Sequence, residues 1–346
     1  MKKEIGSDFN IGLELFFKRK KKNIPKKSFL LSSGRDCIYF ILDSLKLNNN
    51  HKILLPSYLC HTILCPIKEK KLNYSFYKIN KNLEVDLNDL RKKIKKEKPN
   101  IILIINYFGF IQPNLSKIKE ICQKKEIKLV EDNVQSFLSP HQTMGDFVFN
   151  SYRKFIPTPD GAFLLGKFPK KVKINNSPKK FTSKRFTGGI LKTLKIFKNY
   201  YRNLFSSSEK KDIDNYKKPA RMSKISKYLL NRINLEKISI KRRRNYSFLS
   251  KNLNNSEIIP LYTNLDPQTT PLGFPIICKS EKEKIKIKEN LIRNKIYPPI
   301  HWPLPEEVSK NEFKESWNIS KCIMTLPIDQ RYTPEDMKKI LKILNK

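Results

Sequence analysis

The sequence predicts an α/β protein with a large domain built on a mainly parallel sheet and a smaller C-terminal α+β domain. From about residue 31 to residue 132, short apolar runs alternate with amphipathic segments, the pattern of repeated strand–helix units. The run Asn100–Asn106 (NIILIIN) is continuous and rich in β-branched residues, as expected for a strand covered on both faces. In such a sheet, ligands bind at the carboxyl ends of the strands.

The predicted domain limits follow changes in composition along the chain. We assign residues 1–235 to the large domain and residues 236–346 to the small one. Residues 1–30 are basic and weakly patterned, which indicates an arm over the surface. Residues 167–218 are basic, with paired glycines and a run of serines, which predicts an irregular insert.

Apolar periodicity and flanking turn residues predict the individual elements. A helix follows Leu31, because its apolar positions share one face: Ile38, Ile41, Leu42 and Leu45. Further elements are strands at 53–56 and 74–77, helices at 57–66, 87–94 and 115–125, and strands that end at Asp132 and Phe149. Beyond the insert we predict helices at 225–244 and 282–293, a strand at 272–277, and a final helix with Thr333 as its N-cap.

The chain is strongly basic, with 71 Lys and Arg residues against 32 Asp and Glu residues and a formal net charge of +39. Such a balance is typical of proteins that bind nucleic acid or an anionic membrane. Here the lysines are spread along the whole chain, and Ala162 and Ala220 are the only alanines. We interpret the charge as compositional drift, and we expect neither nucleic acid nor membrane as a partner.

The cysteine and hydropathy patterns favour a cytoplasmic protein. The six cysteines are scattered through mostly apolar surroundings, so we expect reduced thiols. The start of the sequence has no apolar signal core, and the longest apolar run is too short to span a bilayer. The cysteines and histidines lack zinc-site spacing, and no metal site is expected.

Two residues, Asp132 and Lys154, indicate the type of reaction that the protein catalyses. Asp132 ends an apolar run that predicts a buried strand, and Lys154 lies in a proline-punctuated loop after the short strand Phe147–Phe149. A pyridoxal phosphate (PLP) enzyme needs such a pair, because the lysine forms a Schiff base with the cofactor and the aspartate keeps the pyridine nitrogen protonated. Lys154 could also be one exposed lysine among many, but its position relative to Asp132 favours the functional interpretation.

Ser33 and Gly34 open the first predicted helix, where a hydroxyl and backbone N–H groups can hold an anion. Taken alone, this pair favours an ordinary helix cap. However, four residues fall at or just beyond the ends of predicted elements: Ser33, Tyr107, Asp132 and Lys154. A ligand site of a parallel sheet assembles at those positions.

Five motifs together resemble a known family. They are Ser33-Gly34-Arg35, LPSY at 55–58, Tyr107-Phe108-Gly109, EDNVQS at 131–136 and GDFVFNSYRKFIPTPDG at 145–161. In order and spacing they are similar to the DegT/DnrJ family of fold-type-I, PLP-dependent aminotransferases, which mostly act on nucleotide-linked keto sugars. The resemblance covers most of the chain and includes the LPIDQRY segment at 326–332.

The resemblance implies a role for each matching residue. Lys154 would carry the cofactor and move protons, Asp132 would pair with the pyridine nitrogen, and Gln135 would contact the phenolic oxygen. The cofactor phosphate would be held by residues at the start of the first helix and by one further hydroxyl: Ser33, Gly34, Arg35 and Ser151. His301 could face the substrate, although a core or rim histidine is the favoured interpretation.

The predicted function is therefore transfer of an amino group to a nucleotide-linked keto sugar, for surface polysaccharide or other glycan synthesis. Glutamate is the expected amino donor, and the resemblance implies a homodimer. Two alternatives stay open. One is a catalytically degenerate protein of this fold that binds polyanions through its basic surface, and the other is a PLP enzyme that acts on a small amino or keto acid.

Overall fold

The computed structural model describes residues 3–212 and 218–345. In that part of the chain, no helix is long and apolar enough to cross a membrane. The strands are β1 Ile5–Gly6, β2 Phe29–Leu31, β3 Lys52–Pro56, β4 Asn73–Tyr77, β5 Ile101–Ile105, β6 Lys128–Asp132, β7 Phe147–Phe149, β8 Ala162–Gly166, β9 Ile258–Pro260, β10 Phe274–Cys278, β11 Ile296–Tyr297 and β12 Ile323–Leu326.

The central sheet has the strand order β2-β8-β7-β6-β5-β3-β4. The five strands from β4 to β7 in this order run parallel, while β8 is antiparallel to both β7 and β2. All five residues of β5 are buried, as predicted for a strand covered on both faces. The prediction of an α/β protein with a mainly parallel sheet is therefore confirmed.

The helices are α1 Gly34–Ser44, α2 Leu64–Glu69, α3 Leu87–Glu97, α4 Leu115–Lys124, α5 Lys179–Leu194, α6 Lys198–Asp212, α7 Lys224–Leu230, α8 Leu235–Asn252, α9 Glu281–Arg293, α10 Lys314–Cys322 and α11 Pro334–Leu344. Two predicted helices differ from these bounds by more than three residues. Residues 57–60 are not helical, because the chain bends at Ser57 and Tyr58 and is extended at Cys60, before a short 3₁₀ turn at His61–Ile63. The helix predicted at 225–244 is divided in two, because Asn234 caps a second start.

The insert at 167–218 is not irregular as predicted, since α5 and α6 form a helical hairpin. Its glycines do not break the helix but allow close packing. A Cβ atom on Gly189 would lie 2.7 Å from Ile11 Cγ1, and one on Gly188 would lie 3.3 Å from the Phe205 ring. Paired glycines usually indicate a loop, whereas here they let neighbouring segments approach the helix.

The N-terminal segment, predicted as a surface arm, is partly built into the core. Strand β1 pairs in parallel with β11, and Ile5, Ile11 and Leu15 are buried. The Ile11 N–H donates to the Gly189 carbonyl at 3.0 Å, so the arm is also tied to the hairpin. The arm therefore joins the hairpin to the C-terminal part of the chain.

The C-terminal part contains a small antiparallel sheet with the order β12-β10-β9. Helices α8, α9 and α11 pack around it and bury an apolar core that includes Phe274, Leu326 and Met337. The predicted capping box is present at the start of α11, between Thr333 and Asp336. We retain residues 236–346 as the proposed small domain.

Candidate active site

Asp132 and Lys154 line one cavity of about 270 Å³ at the carboxyl edge of the parallel strands. Asp132 ends β6, and Lys154 lies in the 3₁₀ turn Tyr152–Lys154 just beyond β7, the next strand of the sheet. The two residues come close together because the carboxyl ends of neighbouring parallel strands lie on the same edge of the sheet.

The Asp132 carboxylate is buried, and its Oδ1 accepts a hydrogen bond from the Val134 N–H at 2.8 Å. Burial raises the pKa of Asp132 to about 7, against the opposing effects of this hydrogen bond and of the Lys154 charge. A cationic N–H group placed beside this carboxylate would stabilise its ionised form. The site therefore suits a ligand that carries a protonated ring nitrogen.

The same cavity contains the other residues predicted to bind the cofactor: Ser33, Gly34, Arg35, Gln135 and Ser151. The Gln135 oxygen accepts from the Phe108 N–H at 2.8 Å, so donation to a ligand would come from the amide nitrogen. The structure thus brings all seven sequence-predicted residues of this group to one place, although they come from separate segments of the chain.

Ser33 caps α1 and forms part of a compact hydrogen-bond network with Asp36. Its hydroxyl donates to Asp36 Oδ2 at 2.7 Å and accepts from the Asp36 N–H at 3.2 Å. Asp36 also accepts from the hydroxyl of Ser32 and from the Ala220 N–H. The start of α1 is therefore held in place, with its backbone N–H groups at the cavity, an arrangement that suits a phosphate group.

His301 lies in an adjoining cavity of about 450 Å³, which also contains Lys154 and Arg153. Its ring is buried, and Nδ1 lies 3.0 Å from Thr325 Oγ1. Burial and the nearby Lys154 charge lower the pKa of His301 to about 3. The histidine is therefore neutral at physiological pH, in the wall of the larger cavity.

Nine further residues line the first cavity and were not predicted as site residues, among them Cys60, Thr62 and Trp302. Burial raises the pKa of the Cys60 thiol. Hydrogen bonds from His61 and Thr62 and the Lys154 charge have a larger, opposite effect, so the net pKa lies below its usual value. Cys60 and Thr62 follow the carboxyl end of β3, so the strand-end rule could have found them. The sequence has no signal that brings Trp302 back to this sheet from the C-terminal part.

A buried carboxylate, an amine and a helix N-terminus in one cavity at the edge of a parallel sheet are the features that a fold-type-I, PLP-dependent enzyme requires. The chain belongs to the DegT/DnrJ/EryC1/StrS aminotransferase family, whose profile it matches over residues 24–152 and 219–345. Lys154 itself and the α5–α6 hairpin lie between the matched segments. The family is one of PLP-dependent aminotransferases, so the predicted class of enzyme is confirmed.

Solved structures show the same fold. An aminotransferase from Helicobacter pylori, PseC, which is involved in pseudoaminic acid biosynthesis, has 14% sequence identity and a TM-score of 0.71, with 99% of this chain and 98% of that chain covered. The aminotransferase TlmJ from Streptoalloteichus hindustanus has 12% identity and a TM-score of 0.71, with 100% of this chain and 98% of that chain covered. NtdA from Bacillus subtilis, solved with bound PMP, has 14% identity and a TM-score of 0.66, with 98% and 79% covered.

The start of α1 offers a direct test of the phosphate site. A Cβ atom on Gly34 would lie 2.9 Å from Val134 Cγ2 and 3.3 Å from Phe149 Cε2, both in the cavity wall. We expect Gly34→Ala to displace the first turn of α1 and to weaken PLP binding about tenfold, with a loss of about 1–3 kcal/mol in unfolding free energy from overpacking. Absorbance titration with PLP and thermal unfolding measure both effects.

Gly12→Ala is the matched control, because a Cβ there would meet the flexible Glu14 carboxylate. This variant should keep the PLP affinity of the wild type. Equal affinities of wild type and Gly34→Ala would show that the start of α1 does not hold the phosphate.

Proposed function

We propose that this chain binds PLP in the cavity of Asp132 and Lys154 and transfers an amino group from glutamate to a nucleotide-linked keto sugar. The product would serve surface polysaccharide or other glycan synthesis. The observation that carries the proposal is that Lys154, the buried Asp132 and the start of α1 line one cavity. These three features suit the aldehyde, the ring nitrogen and the phosphate of PLP, respectively.

When bound, PLP would supply an aldehyde that takes up the amine and a ring that accepts electrons. The role of Asp132 would be to hold a proton on the ring nitrogen, since an ionised carboxylate there is stabilised by a neighbouring cation. Gln135 would donate from its amide nitrogen to the ring oxygen. The Lys154 amine, once released, would take a proton from the α-carbon of the donor and, at the end of the transfer, would give a proton to the sugar carbon that receives the amino group.

The adjoining 450 Å³ cavity would hold the sugar substrate. Its charged lining consists of five basic residues, Arg153, Lys154, Arg185, Arg242 and Arg331, and two acidic ones, Asp8 and Asp329. Arg185 pairs with Asp8 at 2.8 Å, and Arg331 pairs with Asp329 at 2.8 Å. The excess of positive charge favours an anionic substrate, such as a sugar linked to a nucleotide diphosphate.

Arg185 of α5 lines this cavity, as does Phe205 of α6, and the Arg185 guanidinium lies 5.2 Å from the Phe205 ring centroid. We expect Arg185→Gln to raise the KM for the nucleotide sugar about tenfold, with kcat nearly unchanged, because a charge-assisted contact to the substrate is lost. Steady-state kinetics with the keto sugar varied at saturating glutamate measure this.

Asp8→Asn is the control for Arg185→Gln, because it breaks the same ion pair but leaves the cation in place. It should not raise the KM. An equal rise in both variants would mean that Arg185 acts by holding the arm and not by contacting the substrate.

The test of the function is the visible absorbance spectrum of the purified protein with PLP, before and after glutamate is added. The expected result is an absorption band that shifts with glutamate, followed by amino transfer to nucleotide-linked keto sugars and not to free keto acids other than 2-oxoglutarate, the keto acid of the donor. Transfer to free keto acids alone would favour an enzyme of small amino acids. No band, together with salt-sensitive binding of polyanions, would favour the degenerate alternative.

We also propose a cytoplasmic homodimer, on the basis of the family resemblance alone. Analytical ultracentrifugation of the purified protein at micromolar concentration tests the assembly. A single species with the mass of one chain would contradict it.

A further inference from the structure

The cavity of Asp132 and Lys154 contains one aromatic side chain from the C-terminal part of the chain. Trp302, which follows β11, lines this cavity and is half-buried. Its ring centroid lies 5.6 Å from that of Tyr58 and 6.4 Å from that of Tyr107. One part of the indole is therefore covered by protein, while another part is available to a ligand in the cavity.

The backbone around Trp302 is held by contacts from both halves of the chain. The Ser320 hydroxyl, in α10, donates to the Trp302 carbonyl at 2.5 Å. The Tyr58 hydroxyl donates to the His301 carbonyl. The Tyr107 hydroxyl donates in turn to the Tyr58 carbonyl at 2.5 Å. The indole is thus positioned before a ligand arrives, which lowers the entropy cost of binding.

The rest of the cavity lining offers no second aromatic surface of this kind within the described residues. Phe149 also lines the cavity, but it is 1% exposed and packs against the start of α1. The loop after β3 contributes the small side chains of Cys60 and Thr62. A flat ligand ring beside Asp132 would therefore find its aromatic partner in Trp302.

We propose that Trp302 is a cofactor-binding residue whose indole packs against the pyridine ring of PLP, an inference that depends on the function proposed above. Aromatic rings attract each other by dispersion and by complementary quadrupoles, and the contact removes water from the ring. Trp302 would thus bring the C-terminal part of the chain into the cofactor site and tie its position to the bound cofactor.

Two substitutions separate the aromatic contact from simple filling of space. Trp302→Leu keeps an apolar side chain but has no ring, and we expect it to weaken PLP binding about tenfold, as for loss of a stacked ring. Trp302→Phe keeps a ring and should bind PLP within about threefold of the wild type. Absorbance titration of the purified proteins gives the dissociation constants, and thermal unfolding without PLP shows whether each variant is folded.

Fluorescence gives an independent readout, because the chain has two tryptophans, Trp302 and Trp317. Trp317 lies outside the cavity, where its indole N–H donates to the Val308 carbonyl at 2.9 Å. In Trp317→Phe only Trp302 emits, and PLP should quench it almost completely. In Trp302→Phe only Trp317 emits, and quenching should be weaker.

The outcomes distinguish this inference from the function itself. If the wild type does not bind PLP, both proposals fail. If the wild type binds PLP and Trp302→Leu binds it equally well, or if PLP quenches Trp317 at least as strongly as Trp302, only the role of Trp302 is overturned. Weaker binding by Trp302→Leu together with stronger quenching of Trp302 supports it.

Discussion

Lys154→Ala is expected to abolish the visible absorption band of the protein with PLP and to lower amino transfer on the order of 10³-fold, the scale of general acid–base catalysis. The physical reason is that, among the described residues, no other lysine lines the cavity to hold the cofactor covalently and to move the proton. Borohydride reduction of the wild type, followed by peptide mapping, should find the cofactor on Lys154.

Lys154→Arg and Lys128→Ala are the controls. Lys154→Arg keeps the positive charge but provides no amine that reacts with an aldehyde, so it should fail like Lys154→Ala. Lys128 is exposed at the other end of β6, and its replacement should leave the spectrum unchanged. A reduced cofactor found on a different lysine would remove Lys154 from the proposed site.

Asp132→Asn is expected to weaken function and to increase stability. The neutral amide cannot stabilise a protonated ring nitrogen, so we expect cofactor affinity and amino transfer to fall about 10- to 100-fold, the range for a hydrogen bond to a charged group. Without cofactor, the same change removes a buried carboxylate that is costly to ionise. The cofactor-free variant should therefore be more stable than the wild type at pH 8.

The higher stability of cofactor-free Asp132→Asn should depend on pH. The dependence follows from the pKa of Asp132 in the wild type, which burial raises from its ordinary value of 3.8 to about 7. Below pH 4 the group is protonated in both the folded and the unfolded state, and it has no effect. Between about pH 4 and pH 7 the Asp132 carboxyl ionises only in the unfolded state, so the stability of the wild type falls as the pH rises. Above pH 7 the full difference is reached, up to about 4 kcal/mol at about 1.4 kcal/mol per pKa unit.

Urea unfolding of the cofactor-free proteins at pH 4, 6 and 8 measures this difference. Asp329→Asn is the control with the opposite sign, because burial raises the pKa of Asp329 but the charges of Arg331 and Arg242 and the hydrogen bonds from Arg331 together hold it below its usual range. The Asp329→Asn protein should be less stable than the wild type at neutral pH, since the ionised Asp329 carboxylate is favourable in the folded state. An Asp132→Asn protein no more stable than the wild type at pH 8 would show that the Asp132 carboxylate is already stabilised without the cofactor.

The sequence by itself determined the parallel sheet and the residues at its carboxyl edge. Strands such as β5 are recognisable locally, because a strand buried on both faces needs a continuous apolar run. Asp132 ends one such strand and Lys154 follows the next, so their proximity requires only that neighbouring strands lie in parallel. Local pattern therefore sufficed to locate this part of the site.

Only the tertiary structure decided the parts of the two cavities that come from distant segments. Arg185 meets Asp8 from 177 residues away, and Trp302 joins a cavity whose other residues lie between 33 and 154. Such contacts depend on how the hairpin, the arm and the C-terminal part pack together. They leave no periodic trace in the sequence, because a single polar or aromatic side chain at the end of an element does not specify its distant partner.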